Sequence, residues 1–125
     1  MLDDCRVVIL MAAQVRTVNL KSGMPNVEEA RSRLNSEIDK SKKRGDQVLK
    51  LIHGYGSSGV GGTLKDAIRR SLRKRRKEGK IRSFVAGEKW GAFDEITNEI
   101  LGECPQLERD PDLGKYNEGI TIVLM

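Results

Sequence analysis

Short runs of β-branched and aliphatic residues recur along the chain and predict strands. The runs cover residues 5–13, 15–20, 47–53, 81–87 and 118–125, and the second alternates apolar with polar residues. Alternation with a period of two is typical of a strand with one buried face, whereas the more continuous apolar third run indicates an interior strand. The pattern therefore predicts a sheet of about four strands, to which the first run adds an extra N-terminal strand.

Between the second and third strand runs, residues 26–45 have the spacing of an amphipathic helix. Apolar or small residues recur there every three or four positions: Val27, Ala30, Leu34, Ile38 and Ser41. Asn26 stands at the N-cap position, with Glu29 at the reciprocal position of a capping box. Gly45 follows the last turn, where a C-cap glycine is common. We therefore predict a helix bounded by Asn26 and Gly45.

A second amphipathic helix is predicted to begin at Thr63, which stands at the N-cap position, and to end before Gly79. Its buried stripe consists of apolar and small residues at helical spacing: Leu64, Ala67, Ile68, Ser71 and Leu72. At about 100° per residue, basic residues occupy the opposite half, which we expect to be exposed: Lys65, Arg69, Arg70, Arg73, Lys74, Arg76 and Lys77.

Residues 88–116, here called the acidic segment, separate the last two predicted strands. A short helix is predicted within it at about residues 92–102, from the apolar positions Phe93, Ile96, Ile100 and Leu101. An irregular stretch with two prolines follows. Trp90 and Phe93 are expected to anchor the acidic segment to the core.

The order of elements predicts an α+β fold. Two strand–helix–strand units in series favour a two-layer sandwich, in which helices pack on a mixed sheet of about four strands in the order βαβαββ. At 125 residues the chain is expected to form a single domain. Its core is predicted at residues 15–87 and 117–125, with the acidic segment as an insertion.

Composition narrows the class of protein. The chain is 38% hydrophobic and 33% charged, and no apolar run approaches the roughly 20 residues of a membrane span. We therefore expect no membrane association, and the absence of a secretory signal pattern predicts a cytoplasmic protein. Cys5 and Cys104 are expected to be reduced thiols. One histidine and two separated cysteines do not form a zinc-ligand pattern, so no metal site is predicted.

Charge is distributed unevenly along the chain. The net charge is +5, and residues 68–82 contain nine Lys or Arg and a single Glu. Residues 94–118 contain eight acids and two bases. Such asymmetry indicates an anionic partner for the basic region.

The glycine-rich stretch that follows His53 matches two nucleotide-binding motifs incompletely. The P-loop pattern requires a lysine where this chain has Gly62. The dinucleotide pattern requires a helix that begins within the fingerprint and an acid about 20 residues on, whereas Glu88 follows Gly59 by 29 residues. Both nucleotide-binding interpretations are therefore disfavoured.

Both motifs bind phosphate through the backbone of a glycine-rich loop that precedes a helix. Residues 54–62, which contain five glycines, have this feature as well. Small residues let backbone N–H groups converge on an anion, and the N-terminus of the following helix adds partial positive charge. This predicts a phosphate-binding loop. The alternative is a tight turn in which Ser57, Ser58 and Thr63 act only as caps.

The stretch "LIHGYGSSGVGGTLKDAIRRSL" resembles the signature of the small MutS-related (Smr) domain, in which a strand, H-G-x-G and a short loop precede a basic amphipathic helix. The upstream "NVEEARSRLNSEIDKSKKRGDQVLKL" and the final "NEGITIVLM" are similar to other segments of that domain. The resemblance spans roughly residues 15–86 and 117–125. It implies a βαβαββ sandwich like the C-terminal domain of bacterial translation initiation factor three.

The resemblance also implies nucleic-acid binding, and some Smr domains nick DNA or cleave RNA. The first strand of the family typically ends in an L-D-x-H type motif, and the matching residues here are "VNLKSG". Asn19 stands in place of the acid and Lys21 in place of the histidine. Because Asn cannot act as a general base, cleavage by the usual route of the family is not expected, whereas phosphate binding is.

The predicted phosphate or nucleic-acid site joins the glycine-rich loop to the basic helix. It comprises Lys21, His53, Gly54, Tyr55, Gly56, Ser57, Ser58 and Thr63, together with Lys65, Arg69, Arg70, Arg73, Lys74, Arg76 and Lys77. Tyr55 is a candidate for stacking on a base or sugar, or for covering the loop. His53 is the candidate catalytic residue, since its ordinary pKa lies near neutrality; the alternative is a histidine that orients the loop.

Three functions follow as hypotheses. The first is a sequence-nonspecific nucleic-acid-binding domain with weak nicking activity at most. The second is a DNA or RNA endonuclease that uses His53 with Mg²⁺ or Mn²⁺ and with an acid such as Glu88 or Asp94. The third is a scaffold that binds a protein partner through residues 94–117. The acidic residues are alternatively expected to fold over the basic helix as an internal mimic of nucleic acid.

Overall fold

Four strands form one mixed sheet in the order β1-β2-β4-β3. The computed structural model describes residues 14–54 and 63–125, so the strand predicted at 5–13 lies outside the described residues. The strands are β1 (Val15–Asn19), β2 (Val48–Ile52), β3 (Ser83–Ala86) and β4 (Ile120–Leu124). All four fall within the predicted runs.

The pairing of the strands brings one end of each strand to a common edge of the sheet. β1 is parallel to β2, with Asn19 opposite Ile52. β4 is antiparallel to both of its neighbours, with Ile120 opposite Ile52 and Thr121 opposite Ala86. The ends of β1, β2 and β3 and the start of β4 therefore meet at one edge of the sheet, called the loop edge because the glycine-rich loop leaves from it.

Three α-helices connect the strands: α1 (Val27–Arg44), α2 (Thr63–Lys77) and α3 (Glu95–Glu103). The predicted capping box of α1 is confirmed, because the Asn26 side chain accepts from the backbone N–H of Glu29 and the Glu29 side chain accepts from that of Asn26. Gly45 ends α1 with a φ of 75°, a conformation that glycine adopts without steric cost.

Helices α1 and α2 cover one face of the sheet. The buried cluster there combines both helices with alternate strand residues: Val18, Leu20, Ala30, Leu34, Ile38, Leu49, Leu51, Ile68, Leu72, Ile81 and Val123. The predicted α+β class, with helices packed on a mixed four-stranded sheet, is confirmed. Each side of β2 is buried, which explains its nearly continuous apolar sequence.

The acidic segment covers the opposite face of the sheet and adds a layer to the predicted sandwich. Its buried residues Trp90, Ile100, Cys104 and Leu107 pack against strand residues of that face: Val48, Val85, Ile120, Ile122 and Leu124. The hypothesis that the segment folds over the basic helix is therefore wrong for α3 and the apolar residues around it, which lie on the face away from α2. Glu88, the first residue of the segment, does contact that helix through Arg69. Two short 3-10 helices, Gly87–Lys89 and Pro105–Arg109, flank α3.

A buried lysine anchors the acidic segment to the sheet. The ammonium of Lys50, on β2, lies 2.7 Å from an Asp110 carboxylate oxygen and 2.5 Å from one of Asp112. The indole N–H of Trp90 donates to the other oxygen of Asp110 at 2.9 Å. Burial alone lowers the pKa of Lys50, but the two carboxylates outweigh it and the pKa is raised. Two acids of the segment, Asp110 and Asp112, thus neutralise the charge of Lys50 inside the protein.

Trp90 anchors the acidic segment as predicted, but the prediction for Phe93 is wrong. Trp90 is 1% exposed, whereas the Phe93 side chain is completely exposed. Helix α3 begins only at Glu95, because the side chain of Asp94 accepts from the N–H of Thr97 and caps it. Phe93 therefore lies in the preceding turn, which directs its ring away from the core.

Candidate nucleic-acid interface

His53 and Gly54 leave β2 at the loop edge and are tied to the start of β4. Both backbone N–H groups donate to the carbonyl oxygen of Gly119, each at 3.0 Å. Gly54 has a φ of 72°, a left-handed conformation that glycine adopts without steric cost. The two residues thus form a fixed base from which the glycine-rich loop leaves.

The imidazole of His53 is buried and both of its nitrogens are engaged. Nδ1 lies 2.9 Å from the carbonyl oxygen of Gly54, and Nε2 lies 2.8 Å from the hydroxyl oxygen of Thr121. A carbonyl only accepts, so Nδ1 carries the proton and the Thr121 hydroxyl donates to Nε2. Burial, together with the charges of Arg69 and Lys65, lowers the pKa of His53. The ring is therefore neutral near pH 7.

Arg69 completes this network from helix α2. Its Nε donates to the Thr121 hydroxyl at 3.1 Å, and its terminal nitrogens donate to the two carboxylate oxygens of Glu88 at 2.9 and 2.8 Å. Burial raises the pKa of Glu88, but the hydrogen bonds from Arg69 outweigh it and the pKa is lowered. A continuous chain of hydrogen bonds therefore runs from Glu88 through Arg69 and Thr121 to His53.

The prediction that Arg69 lies on the exposed half of α2 is wrong. Arg69 is 8% exposed, because it follows Ile68 at the border of the buried stripe and its side chain extends over the start of β4. There it also donates to the carbonyl oxygen of Ile120 at 3.1 Å. Its charge is neutralised within the protein, so we remove Arg69 from the candidate phosphate contacts.

The contacts of His53 favour the interpretation in which it orients the glycine-rich loop. Neither ring nitrogen is left over for a phosphate or for an attacking water. Glu88, considered as an acid partner, lies at the same edge of the sheet, but both of its carboxylate oxygens are held by Arg69. The described residues contain no cluster of His, Cys, Asp and Glu that could hold a metal ion.

Asn19 and Lys21 occupy the end of β1 beside His53 and Gly54. The side-chain oxygen of Asn19 accepts from the backbone N–H groups of Lys21 and Ser22, at 2.9 and 3.1 Å. It therefore shapes the turn after the strand. The side chain of Lys21 passes over Gly54, since a Cβ added to that glycine would lie 3.3 Å from the Lys21 Cδ. Lys21 thus lies against Gly54, and its contact with a phosphate stays a prediction.

One side of α2 carries four exposed basic residues, here called the basic stripe: Arg70, Arg73, Lys74 and Lys77. None of the four has an ion pair or side-chain hydrogen bond with any residue in the ranges 14–54 and 63–125. Counted from Arg70, the other three follow at three, four and seven residues. This spacing places all four on one face of the helix, about 10 Å long. The basic stripe therefore presents uncompensated positive charge to solvent.

Two other basic residues of α2 that were predicted to bind phosphate make contacts within the protein. Lys65 is half-buried, with its ammonium 3.2 Å from a carboxylate oxygen of Glu118. Arg76 is exposed, and its guanidinium lies 5.2 Å from the centre of the Phe84 ring. Lys65 is therefore a weaker candidate for phosphate binding than the basic stripe.

Sequence reasoning missed two residues of this region. Arg31 of α1 borders, with Arg70 and Lys74, a groove of about 370 Å³ between α1 and α2. Only the packing of α1 against α2 reveals that Arg31 lies near Arg70 and Lys74, because Arg31 is distant from both in sequence. Thr121, which joins His53 to Arg69, was detectable as the polar residue within the apolar run "ITIVL".

The predicted phosphate-binding loop falls mostly outside the described residues. Tyr55, Gly56, Ser57 and Ser58 are not in the described ranges, so convergence of the backbone amides stays a prediction. Thr63 is the first residue of α2. The base of the loop at His53 and Gly54 and the helix that follows it are therefore the parts of the site that can be placed.

The acids proposed to bind a protein partner are partly used inside the domain. Within residues 94–117, Asp110 and Asp112 pair with Lys50, and Glu103 pairs with Arg82. The acids that remain exposed there include Glu95, Glu99 and Glu108. These three exposed acids remain candidates for contact with a protein partner.

A four-stranded mixed sheet with two helices on one face, and H-G at the end of its second strand, defines the class of domain. The sequence model of the Smr domain family matches residues 22–93, which include α1, β2, α2 and β3. The chain belongs to the Smr domain family. Members of this family are in general nucleic-acid-binding or nicking domains.

A solved structure supports the same fold. The Smr domain of Thermus thermophilus MutS2 is similar to this chain with a TM-score of 0.54 and 22% sequence identity, over 87% of this chain and 95% of that chain. At this identity the likeness concerns the fold. No curated protein sequence matches the chain. Among the described residues, no helix has the length and apolar character needed to cross a bilayer.

Proposed function

We propose that this Smr domain binds nucleic acid without sequence specificity, through the phosphate backbone. The observation that carries the proposal is the contrast within α2. Arg69 and Lys65 are paired with carboxylates of the protein, whereas Arg70, Arg73, Lys74 and Lys77 are exposed and unpaired among the described residues. A phosphodiester backbone supplies the counter-charge that the protein itself does not supply to the basic stripe.

Electrostatic repulsion supports an anionic partner. Like charges three or four residues apart on a helix destabilise it by a few tenths of a kcal/mol per pair. Binding to phosphates would remove this penalty and release condensed counterions from the nucleic acid. The position of Lys21 over Gly54 supports extending the same surface to the loop edge. The N-terminus of α2, directly after the glycine-rich loop, offers partial positive charge for a further phosphate.

A binding titration with matched charge changes tests the proposal. Labelled duplex DNA and duplex RNA are titrated with the parent and with an Arg73→Ser, Lys74→Ser variant. A Lys42→Ser, Lys43→Ser variant is the control, since it removes the same charge from exposed positions on α1. We expect at least tenfold weaker binding for the α2 variant and less than threefold for the α1 variant. If the two variants weakened binding equally, affinity would depend on the net charge of the protein and not on the basic stripe, which would contradict the proposal.

Cleavage is tested separately from binding. Supercoiled plasmid is incubated with the parent and with His53→Gln in the presence of Mg²⁺ or Mn²⁺. Because both ring nitrogens of His53 are engaged inside the protein, we expect no loss of nicking per folded molecule in the variant. Complete loss of nicking in a folded His53→Gln protein would instead favour the endonuclease hypothesis.

A further inference from the structure

A surface pocket of about 470 Å³ lies in the acidic segment and has no role in the function proposed so far. Its lining includes Glu88, Lys89, Trp90, Phe93 and Tyr116. The volume falls within the range of small-molecule sites, which is about 300–1,000 Å³. Three of the five aromatic residues of the chain therefore surround one pocket.

Two of the three aromatic rings are exposed. Phe93 is completely exposed, and Tyr116 is 77% exposed. Trp90 is buried, with its indole N–H bound to Asp110. Tyr116 also has a φ of 56°, a conformation in which a bulky side chain is strained. Exposed rings beside a pocket, one on a strained backbone, are costly for folding and typical of a binding site.

The pocket is suited to a ligand attached to phosphate. Both carboxylate oxygens of Glu88 are held by Arg69, and one oxygen of Asp94 is held by the N–H and hydroxyl of Thr97. The acids of the lining are therefore largely engaged with donors of the protein. Lys89 is exposed and has no ion pair with any described residue. The rim thus offers a free cation next to aromatic rings.

The pocket is linked to the loop edge by a chain of hydrogen bonds. Glu88, in its lining, binds Arg69, which in turn binds Thr121 and through it His53. Because β3 ends at Ala86, two residues before Glu88, the lining of the pocket begins near the edge of the sheet at which His53 and Gly54 lie. A strand bound at the loop edge would therefore pass close to the aromatic rings.

We propose that this pocket receives an unpaired nucleobase of the bound strand, stacked on Phe93, with Tyr116 also in the lining. The inference rests on the proposed nucleic-acid binding and adds a preference for single strands, loops or bulges over intact duplex. Every nucleobase has a face that stacks on an aromatic ring, so no particular base is required. In a duplex the bases are already stacked on each other, so the pocket would stay unused.

Affinities for single-stranded and duplex oligonucleotides of equal length test the assignment. From the usual contribution of one stacked base, Phe93→Ala is expected to weaken single-strand binding by about fivefold to a hundredfold, with duplex binding unchanged within twofold. Phe93→Tyr retains a ring and is expected to bind as the parent does. The fully exposed position makes misfolding of these variants an unimportant risk, which a thermal midpoint measurement checks.

Photo-cross-linking provides an independent localisation. Single-stranded RNA with 5-iodouridine is irradiated in complex with the parent, and the modified peptide is identified by mass spectrometry. Cross-links to Phe93 or Tyr116 are expected. Cross-links confined to other residues, together with unchanged single-strand affinity of Phe93→Ala, would overturn the nucleobase assignment and point to a peptide as the occupant.

The two proposals fail in different ways. If the parent binds neither single strands nor duplex, nucleic-acid binding and the pocket assignment fall together. If the parent binds both and the Arg73→Ser, Lys74→Ser variant is weakened for both, the proposed function stands. Under that condition, equal losses or no loss for single strands and duplex in Phe93→Ala overturn the pocket assignment alone.

Discussion

The guanidinium of Arg69 and the carboxylate of Glu88 form a two-point ion pair that joins α2 to the segment following β3. The same guanidinium donates to Thr121, which fixes the ring of His53 at the base of the glycine-rich loop. An arginine that the sequence places in a basic helix is thus part of the internal support of the site. The neighbouring bases on α2 remain available to solvent.

This division of roles predicts different effects for two arginines on the same helix. Arg69→Met leaves Glu88 and Thr121 without their donors, and we expect a loss of about 2 to 3 kcal/mol in the free energy of unfolding. Arg73→Met removes an exposed side chain and should change that free energy by less than about 0.5 kcal/mol. Urea denaturation of both variants is the measurement. Equal losses would contradict the buried position of Arg69.

The buried, neutral state of His53 predicts a dependence of stability on pH. Because the pKa of His53 is lowered in the folded protein, the unfolded chain binds the proton more tightly, and acidification favours unfolding. The contribution is complete above the ordinary pKa of 6.5 and is lost as the pH falls below it, by at most about 1.4 kcal/mol per pH unit.

Denaturation between pH 7.5 and 5.5 measures this effect, and the chain has a single histidine. We expect the free energy of unfolding of the parent to decrease over this range and that of His53→Gln to be nearly constant. The pKa values of the paired carboxyls of Glu37, Glu88 and Asp112 are lowered, so their contributions are lost only at more acidic pH. The same slope in both proteins would mean that His53 is not buried neutral.

Gly87 is predicted to tolerate no side chain. A Cβ at this position would lie 1.9 Å from the carbonyl oxygen of Asn117 and 2.5 Å from the Ile120 Cγ1. Gly87→Ala must therefore displace β4 from the turn after β3, and we expect a loss of about 3 kcal/mol or more in stability. The control is Gly102→Ala in α3, where a Cβ meets nothing within 4 Å.

Gly102→Ala should stabilise the protein by up to about 1 kcal/mol, because alanine has the higher helix propensity. Thermal unfolding of the two variants beside the parent is sufficient to compare them. If Gly87→Ala unfolded at the temperature of the parent, the close approach of β4 to Gly87 would be refuted.

The sequence predicted the elements more completely than it predicted the site. Apolar periodicity and the caps at Asn26 and Gly45 located α1 within one residue at each end, because these signals are local. Arg69 was misplaced because its position at the border of a helical stripe does not indicate whether a long side chain extends inward. Phe93 was misplaced because apolar spacing does not distinguish the first turn of a helix from the turn before it.

The position of the acidic segment required information beyond the sequence. Its anchor is Lys50, a charged residue within an apolar strand, whose partners Asp110 and Asp112 are 60 or more residues away. Nothing local relates these positions, so the sequence left open whether the acids compensate the basic helix or another charge. The ion pairs of Lys50 answer that question for Asp110 and Asp112.

The salt dependence of duplex binding tests the central proposal most directly. Each phosphate contact contributes about −0.9 to the slope of log K against log salt concentration. Between 50 and 200 mM KCl (roughly the range over which such slopes are measured), replacing Arg73 and Lys74 by serine should make the slope less steep by about 2. Replacing Lys42 and Lys43 by serine should leave it unchanged. A slope that is the same for the parent and the Arg73→Ser, Lys74→Ser variant would contradict phosphate binding by the basic stripe.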